Sequence, residues 1–182
     1  MPDLQDLDDN ELIEKAKNGD IEAFGVLYEQ YSDQVYRFFQ AHLRDYLDAE
    51  DLTIEVFLRV NRSLNAYKEQ GVPFLAYLFT ASRNMLIDFY RRSGKIGYEI
   101  SITDRDLYDR EPEPEDAMML KMQQEEIRKT LDRLPEDYRT VLILRFLSEL
   151  SPDETAQVMK RSPGAIRVLQ HRALAALRDL LE

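Results

Sequence analysis

SPDETAQVMKRSPGAIRVLQHRAL, residues 151–174, contains two Ser-Pro pairs, Ser151-Pro152 and Ser162-Pro163, with the second directly after the basic pair Lys160-Arg161. Each Ser offers a side-chain cap, and each Pro suits the first position of a helix. The spacing predicts helices over 152–159 and 163–181, joined by that tight turn. A short helix, a turn and a longer helix make a helix-turn-helix, whose second helix can enter a major groove. At 100° per residue, Ile166, Leu169, Ala173, Leu177 and Leu180 share the core face of the second helix. Gly164, Arg167, Val168, His171 and Arg172 share the opposite face. Arg can bind a guanine edge through two hydrogen bonds, and Val can meet a thymine methyl. Lys160, Arg161 and Arg178 are placed for phosphates. The plainer reading is an amphipathic helix with a solvated basic face.

The charge around this segment runs the other way. The 182 residues hold 24 Lys plus Arg against 35 Asp plus Glu, a formal net charge of −11. Residues 1–92 are net −7, residues 93–125 net −5 and residues 126–182 net +1. The one basic surface coincides with the suspected reader, and the remainder repels a polyanion.

Working outward, helical periodicity dominates and no alternating segment suggests a sheet. A first helix is expected from Asp9 to Asn18, stopping at Gly19. Asp20 then caps a long helix with Ile21, Phe24, Leu27, Tyr28, Tyr31, Val35 and Phe38 on one face. Asp48 is expected to open a third helix running to Leu64, and Pro73 a fourth running to Arg91 or Arg92. Residues 93–116 are polar and acidic with two Glu-Pro pairs, which reads as a flexible linker. Helices over 117–133 and 136–147 precede the helix-turn-helix. The expected fold is all-α: two small helical domains, 1–92 and 117–182, joined by the acidic linker 93–116.

Two further faces carry chemistry. In PFLAYLFTASRNMLIDFYRR (73–92), Phe74, Leu78, Ala81, Met85 and Phe89 point inward. Tyr77, Thr80, Asn84, Asp88 and Arg91 form another stripe, about 21 Å long. An aromatic plane, hydrogen-bonding groups and the guanidiniums of Arg91 and Arg92 suit unstacked nucleotides; an ordinary solvated face is the alternative. In DAEDLTIEVFLRVNRSL (48–64), Leu52, Thr53, Val56, Phe57 and Val60 make the core arc. Ile54 and Leu58 fall outside it beside Asp51, Glu55 and Arg62. That mixture fits a docking surface for a basic, partly apolar helix, or else a face covered by a neighbouring helix.

Composition narrows the function classes. With 44% hydrophobic residues the chain can pack cores. It has no cysteine and two well-separated histidines, so thiolate or imidazole metal centres are not expected. No cofactor motif, phosphate loop or nucleophile-base pair is present, so an enzyme is not expected. No apolar run approaches the roughly 18–20 residues of a membrane span, and the acidic N-terminus is unlike an export signal. The expected location is the cytoplasm, with no membrane insertion.

Five segments in order carry a resemblance: GDIEAFGVLYEQYSDQVYRF (19–38), DAEDLTIEVFLRV (48–60), PFLAYLFTASRNMLIDFYRR (73–92), LDRLPEDYRTVLILRFLSELSPDETAQVM (131–159) and SPGAIRVLQHRALAALR (162–178). The chain resembles the extracytoplasmic-function (ECF) group of the bacterial sigma-70 factors, promoter-specificity subunits of RNA polymerase. The resemblance implies a region 2 over 1–92, which binds core polymerase and reads the melted minus-ten element. It implies a region 4 over 117–182, which reads the minus-thirty-five element as duplex. Core binding would fall to Asp51, Ile54, Glu55, Phe57 and Leu58. Minus-ten reading would fall to Tyr77, Thr80, Asn84, Asp88, Arg91 and Arg92, with the loop Asn65–Val72 capturing a flipped base. Minus-thirty-five reading would fall to Lys160, Arg161, Gly164, Ala165, Arg167, Val168, His171 and Arg172.

The implied partners are core RNA polymerase, promoter DNA and an anti-sigma factor. Ile54 stands where the family often has Gln, Tyr77 where it commonly has Trp, and Leu169-Gln170 where Arg-Leu is more usual. The alternative is a stand-alone helix-turn-helix regulator, which would dimerise on palindromic half-sites and leave the 48–92 block without a role.

Overall fold

The computed structural model describes residues 3–68, 71–94, 123 and 125–182, and among these every regular element is helical. A short 3₁₀ turn, Leu4–Asp6, precedes α1, Asp9–Lys17. Asp8 and Glu11 close a reciprocal capping box on α1, with N···O distances of 2.9 and 3.0 Å. Gly19 then turns the chain at φ +93°, a conformation open to glycine at little cost. Asp20 accepts from the Ala23 amide at 3.1 Å and starts α2, Ile21–His42.

The third helix opens earlier than expected. Asp45, not Asp48, is the cap: it accepts from the Leu47 amide at 2.9 Å, so α3 spans Tyr46–Ser63. A 3₁₀ turn, Leu64–Ala66, follows. Pro73 is the cap residue itself, and α4 covers Phe74–Arg92.

In the C-terminal half a helix covers 125–131 (α5). The linker expected over 93–116 lies outside the described residues except for Ser93 and Gly94, as does the start of the helix expected over 117–133. The helix expected over 136–147 is two pieces: α6, Glu136–Leu142, and a π-helical turn, Ile143–Leu147. The wide turn closes with the Ser148 amide donating to the Ile143 carbonyl at 2.8 Å. Next come α7, Pro152–Met159, and α8, Pro163–Leu181, capped by Ser151 and Ser162 as the Ser-Pro pairs predict. Lys160 between them stands at φ +55°, in the left-handed region.

Helices α1–α4 enclose Leu12, Leu27, Val35, Phe38, Val56, Phe57, Val60 and Leu78. Helices α5–α8 enclose Leu131, Val141, Ile143, Leu144, Leu150, Val158 and Ile166. The α3 arc is buried as its periodicity requires. Ile21 departs from expectation: at the first position of α2, directly after its Asp20 cap, it is 86% exposed. Helix α4 buries more than one stripe, adding Ala76, Phe79 and Ser82, because it packs against α2, α3 and also α7.

The two halves therefore pack on each other, and their apolar residues form one continuous core. Polar groups fasten the seam. Gln34 of α2 donates to the Ser148 carbonyl at 2.9 Å, and Arg128 of α5 to the Leu43 carbonyl at 3.2 Å. Asp132 lies 2.7 Å from the fully buried Arg139 and 3.7 Å from Arg44, which comes from the other half.

Candidate nucleic-acid and partner interfaces

The outer face of α8 is open. Gly164, Ala165, Arg167, Val168, His171 and Arg172 are all exposed, while Ile166 and Ala173 on the opposite side are buried. Val168 is 53% exposed, an apolar side chain held in water between cations. Ser162 accepts from the Ala165 amide at 3.1 Å, fixing the first turn. A methyl group built on Gly164 would meet nothing within 4 Å, so internal packing does not require its bareness. A bare, capped helix end is a surface on which another molecule can come close to the backbone. In the turn, Lys160 is exposed and Arg161 pairs with Asp137 at 2.5 Å. That partner orients the Arg161 guanidinium and halves its value as a free cation.

The α4 stripe is graded. Asn84, Arg91 and Arg92 are exposed, Asp88 is half-buried, and Tyr77 and Thr80 are half-buried. Tyr77 is held from three sides. Its hydroxyl lies 2.7 Å from Ser63 Oγ, its ring centroid is 4.9 Å from that of Tyr67, and the crevice beside it is walled by Gly71 and Val72. Thr80 turns its hydroxyl inward, donating to the Ala76 carbonyl at 2.8 Å. Its methyl, rather than its hydroxyl, is the group left to offer.

Tyr67 is a residue that sequence reading missed. It lies in the loop Asn65–Val72, yet it is 4% exposed. Its hydroxyl donates to the Val72 carbonyl at 2.6 Å and its ring abuts Phe74. It thereby pins the described ends of the Asn65–Val72 loop beside the stripe; residues 69 and 70 of that loop lie outside the described residues. The only sequence signal was an aromatic in a polar run.

On α3, Ile54 and Leu58 are 51% and 54% exposed, so no helix of the described chain covers them. Asp51 is exposed beside them, and Glu55 meets Arg59 at 3.4 Å. Phe57 is corrected: at 2% exposure its ring lies beneath this surface, edge-on to Tyr28 at 4.8 Å. It supports the face and presents none of it. Tyr28 of α2, whose ring touches Phe57, and Leu47 of α3 are 37% and 52% exposed.

Among the described residues no helix is long and apolar enough to cross a membrane, and no cluster of three or more His, Asp or Glu could hold a metal ion.

Among the described residues every regular element is helical, and an exposed helix-turn-helix face with basic residues, a polar-aromatic stripe and an acidic-apolar face fit the class of helical nucleic-acid-binding proteins. Residues 27–96 match the Sigma-70 region 2 family and residues 124–177 the Sigma-70, region 4 family. The ECF RNA polymerase sigma factor BldN of Streptomyces coelicolor is 38% identical over 174 residues, 94% of this chain and 65% of BldN. The ECF sigma factor ShbA of Streptomyces griseus is 32% identical over 181 residues, 94% of each chain. CnrH, solved in complex with the cytosolic domain of CnrY, shares the fold at a TM-score of 0.75 and 23% identity, covering 95% of this chain and 96% of that one. The chain belongs to the ECF group of RNA polymerase sigma factors.

Proposed function

We propose that this sigma factor docks on core RNA polymerase through the α3 face and reads a promoter with two separate surfaces. Residues 1–92 form the region that docks and reads the melted minus-ten element; residues 117–182 form the duplex reader. Asp51, Ile54, Glu55 and Leu58 meet the polymerase, with Phe57 behind them. Tyr77, Thr80, Asn84, Asp88, Arg91 and Arg92 meet the open strand, where aromatic stacking and amide and guanidinium hydrogen bonds suit unpaired bases. Arg167, Val168, His171 and Arg172 read the minus-thirty-five duplex, Gly164 and Ala165 allow close approach, and Lys160 and Arg161 hold phosphates. The observation that carries this reading is the exposed α8 face, where cations flank a solvent-held Val168 opposite the buried Ile166 and Ala173.

The acidic body explains how the factor is used. A weak cationic reader on a chain of net charge −11 binds DNA poorly by itself, which keeps free factor off bulk DNA; the polymerase supplies the remaining grip. The chain acts as an initiation subunit and performs no chemistry of its own, in the cytoplasm. An anti-sigma factor is a fitting partner, since the sigma factor RpoE of Bartonella quintana, which shares the fold at a TM-score of 0.65, was solved in complex with the anti-sigma factor NepR.

The test titrates free protein and reconstituted holoenzyme onto one promoter fragment at about 0.15 M salt. The holoenzyme is expected to bind far more tightly. Equal affinities, or no co-migration with core polymerase, would remove the reading. Asp51→Arg should weaken assembly with core while circular dichroism stays unchanged.

A further inference from the structure

Two lysines stand in the last turn of α1, and the fold uses them differently. Lys15 is exposed, whereas Lys17 is half-buried. Lys17 follows the buried Ile13 by four residues, so its stem runs along the edge of the face that α1 buries. Its Nζ donates to Glu14 Oε1 at 2.9 Å and stands 5.9 Å from the centroid of the Tyr67 ring. At that distance an ammonium is attracted by the electron-rich face of an aromatic ring. The helix end that carries it is fastened: Asn18 Nδ2 donates to the Glu14 carbonyl at 2.9 Å, and Gly19 turns the chain into α2.

Tyr67 is the ring against which Tyr77 lies. Their centroids are 4.9 Å apart at 42°, and Tyr67 also meets Phe74 edge-on at 6.0 Å. Tyr77 lines a crevice of about 480 Å³ with Gly71, Val72, Thr80 and Gln157, whose Nε2 donates to the Gly71 carbonyl at 2.9 Å. Lys17 is not one of the residues lining that crevice; it reaches the stacking surface through the Tyr67 ring. Each tyrosine is held at the tip by its hydroxyl, Tyr67 at the Val72 carbonyl and Tyr77 at Ser63 Oγ. With backbone and hydroxyl both held, the motion left to a tyrosine is rotation about its long axis. A cation over the face opposes that rotation.

We propose that Lys17 is a positioning residue for open-strand reading: its ammonium holds the Tyr67 ring, and through it the Tyr77 face on which an unpaired base stacks. The inference rests on the proposed function of the α4 stripe and extends it to α1, a helix that carries none of the reading side chains. Tilt matters because stacking a base on a ring requires the two faces to overlap.

The test uses reconstituted holoenzyme on one promoter fragment. It reads closed-complex affinity and, separately, the rate of strand opening, followed by permanganate oxidation of unpaired thymines. Lys17→Gln is expected to slow opening about threefold, the size of a partly exposed cation–π contact, with closed-complex affinity unchanged. Lys17→Arg keeps a cation that stacks on rings and is expected to restore the rate. Lys15→Gln removes the same charge from the same turn, and Glu14→Gln removes the ion pair while leaving the ammonium; both are expected to open at the wild-type rate. Opening by Lys17→Gln as fast as wild type would overturn the proposal. Equal slowing by Lys15→Gln would replace it with a net-charge effect, and equal slowing by Glu14→Gln with the ion pair. A salt slope of binding reduced by about one in Lys17→Gln would make Lys17 a phosphate contact and overturn positioning. Tyr77→Leu tells the two readings apart. Unchanged opening in that holoenzyme removes the stripe assignment and the proposal together, whereas slowing by Tyr77→Leu without slowing by Lys17→Gln removes the proposal alone.

Discussion

On α8 the side chains proposed to read duplex stand clear of the protein, and among them Arg161, in the preceding turn, is tied to a neighbour. On α4 the corresponding groups are tied down: Tyr77 to Ser63 and Tyr67, Thr80 to its own helix, and the loop beside them to Gln157. The contrast follows from what each surface meets. Duplex DNA presents a ready groove, so a rigid exposed helix suffices. Unpaired bases arrive only after melting, and a stacking platform must be held in place for them without collapsing inward. A tyrosine braced by a second tyrosine fits the proposed use.

The largest effect expected on this arrangement comes from the seam. Arg139→Ala leaves the part-buried Asp132, which also faces Arg44 of the other half, without its 2.7 Å partner and should cost about 3–5 kcal/mol in urea denaturation. A loss under about 1 kcal/mol would mean that the C-terminal half does not depend on that pair.

Next is the exposed reader. Arg167→Ala should cost the holoenzyme up to about 3 kcal/mol on the upstream element and relax preference at one base pair, with stability unchanged. A uniform loss over all sequences would make Arg167 a phosphate contact.

His42 provides a pH test of the packed side. Burial, reinforced by Arg139, holds its imidazole down at about 3, against an ordinary value of 6.5. The unfolded chain then binds a proton that the folded chain refuses. The stabilisation is complete above pH 6.5 and is lost as pH falls toward 3. Between pH 7 and 5 the loss should be about 2 kcal/mol. Asp132, raised by burial, acts in the opposite sense. Comparing wild type with His42→Gln isolates the histidine, and an unchanged pH slope in the variant would contradict its assignment.

The smallest effect lies in the turn. Lys160→Gly removes a side chain from φ +55° and should stabilise the fold by about 1 kcal/mol while weakening DNA binding slightly. Destabilisation would show that the lysine side chain packs in a way its exposure does not suggest.

Much of this was legible in the sequence because it is local. The Ser-Pro pairs fixed α7 and α8, and the α3 core arc emerged from period alone. Local signals also misled locally. Asp45 and Asp48 are both acceptable caps by residue type, and the structure uses Asp45, which accepts from the Leu47 amide. The π turn at Ile143–Leu147 has no mark in the periodicity of a single helix. Phe57 was assigned both to the core arc and to the docking face, and burial decides for the core. Gln157 was invisible for a stronger reason: its partner lies 86 residues away, across a seam that no window of sequence contains. The faces were readable; how they lean on one another was not.

The most direct measurement is run-off transcription by reconstituted holoenzyme on a random promoter pool, with the selected upstream regions sequenced. Two separated blocks should be enriched, the upstream one relaxed by Arg167→Ala and the downstream one by Asn84→Ala. Absence of initiation, or selection of one palindromic block, would contradict a subunit that reads duplex and open strand with different faces.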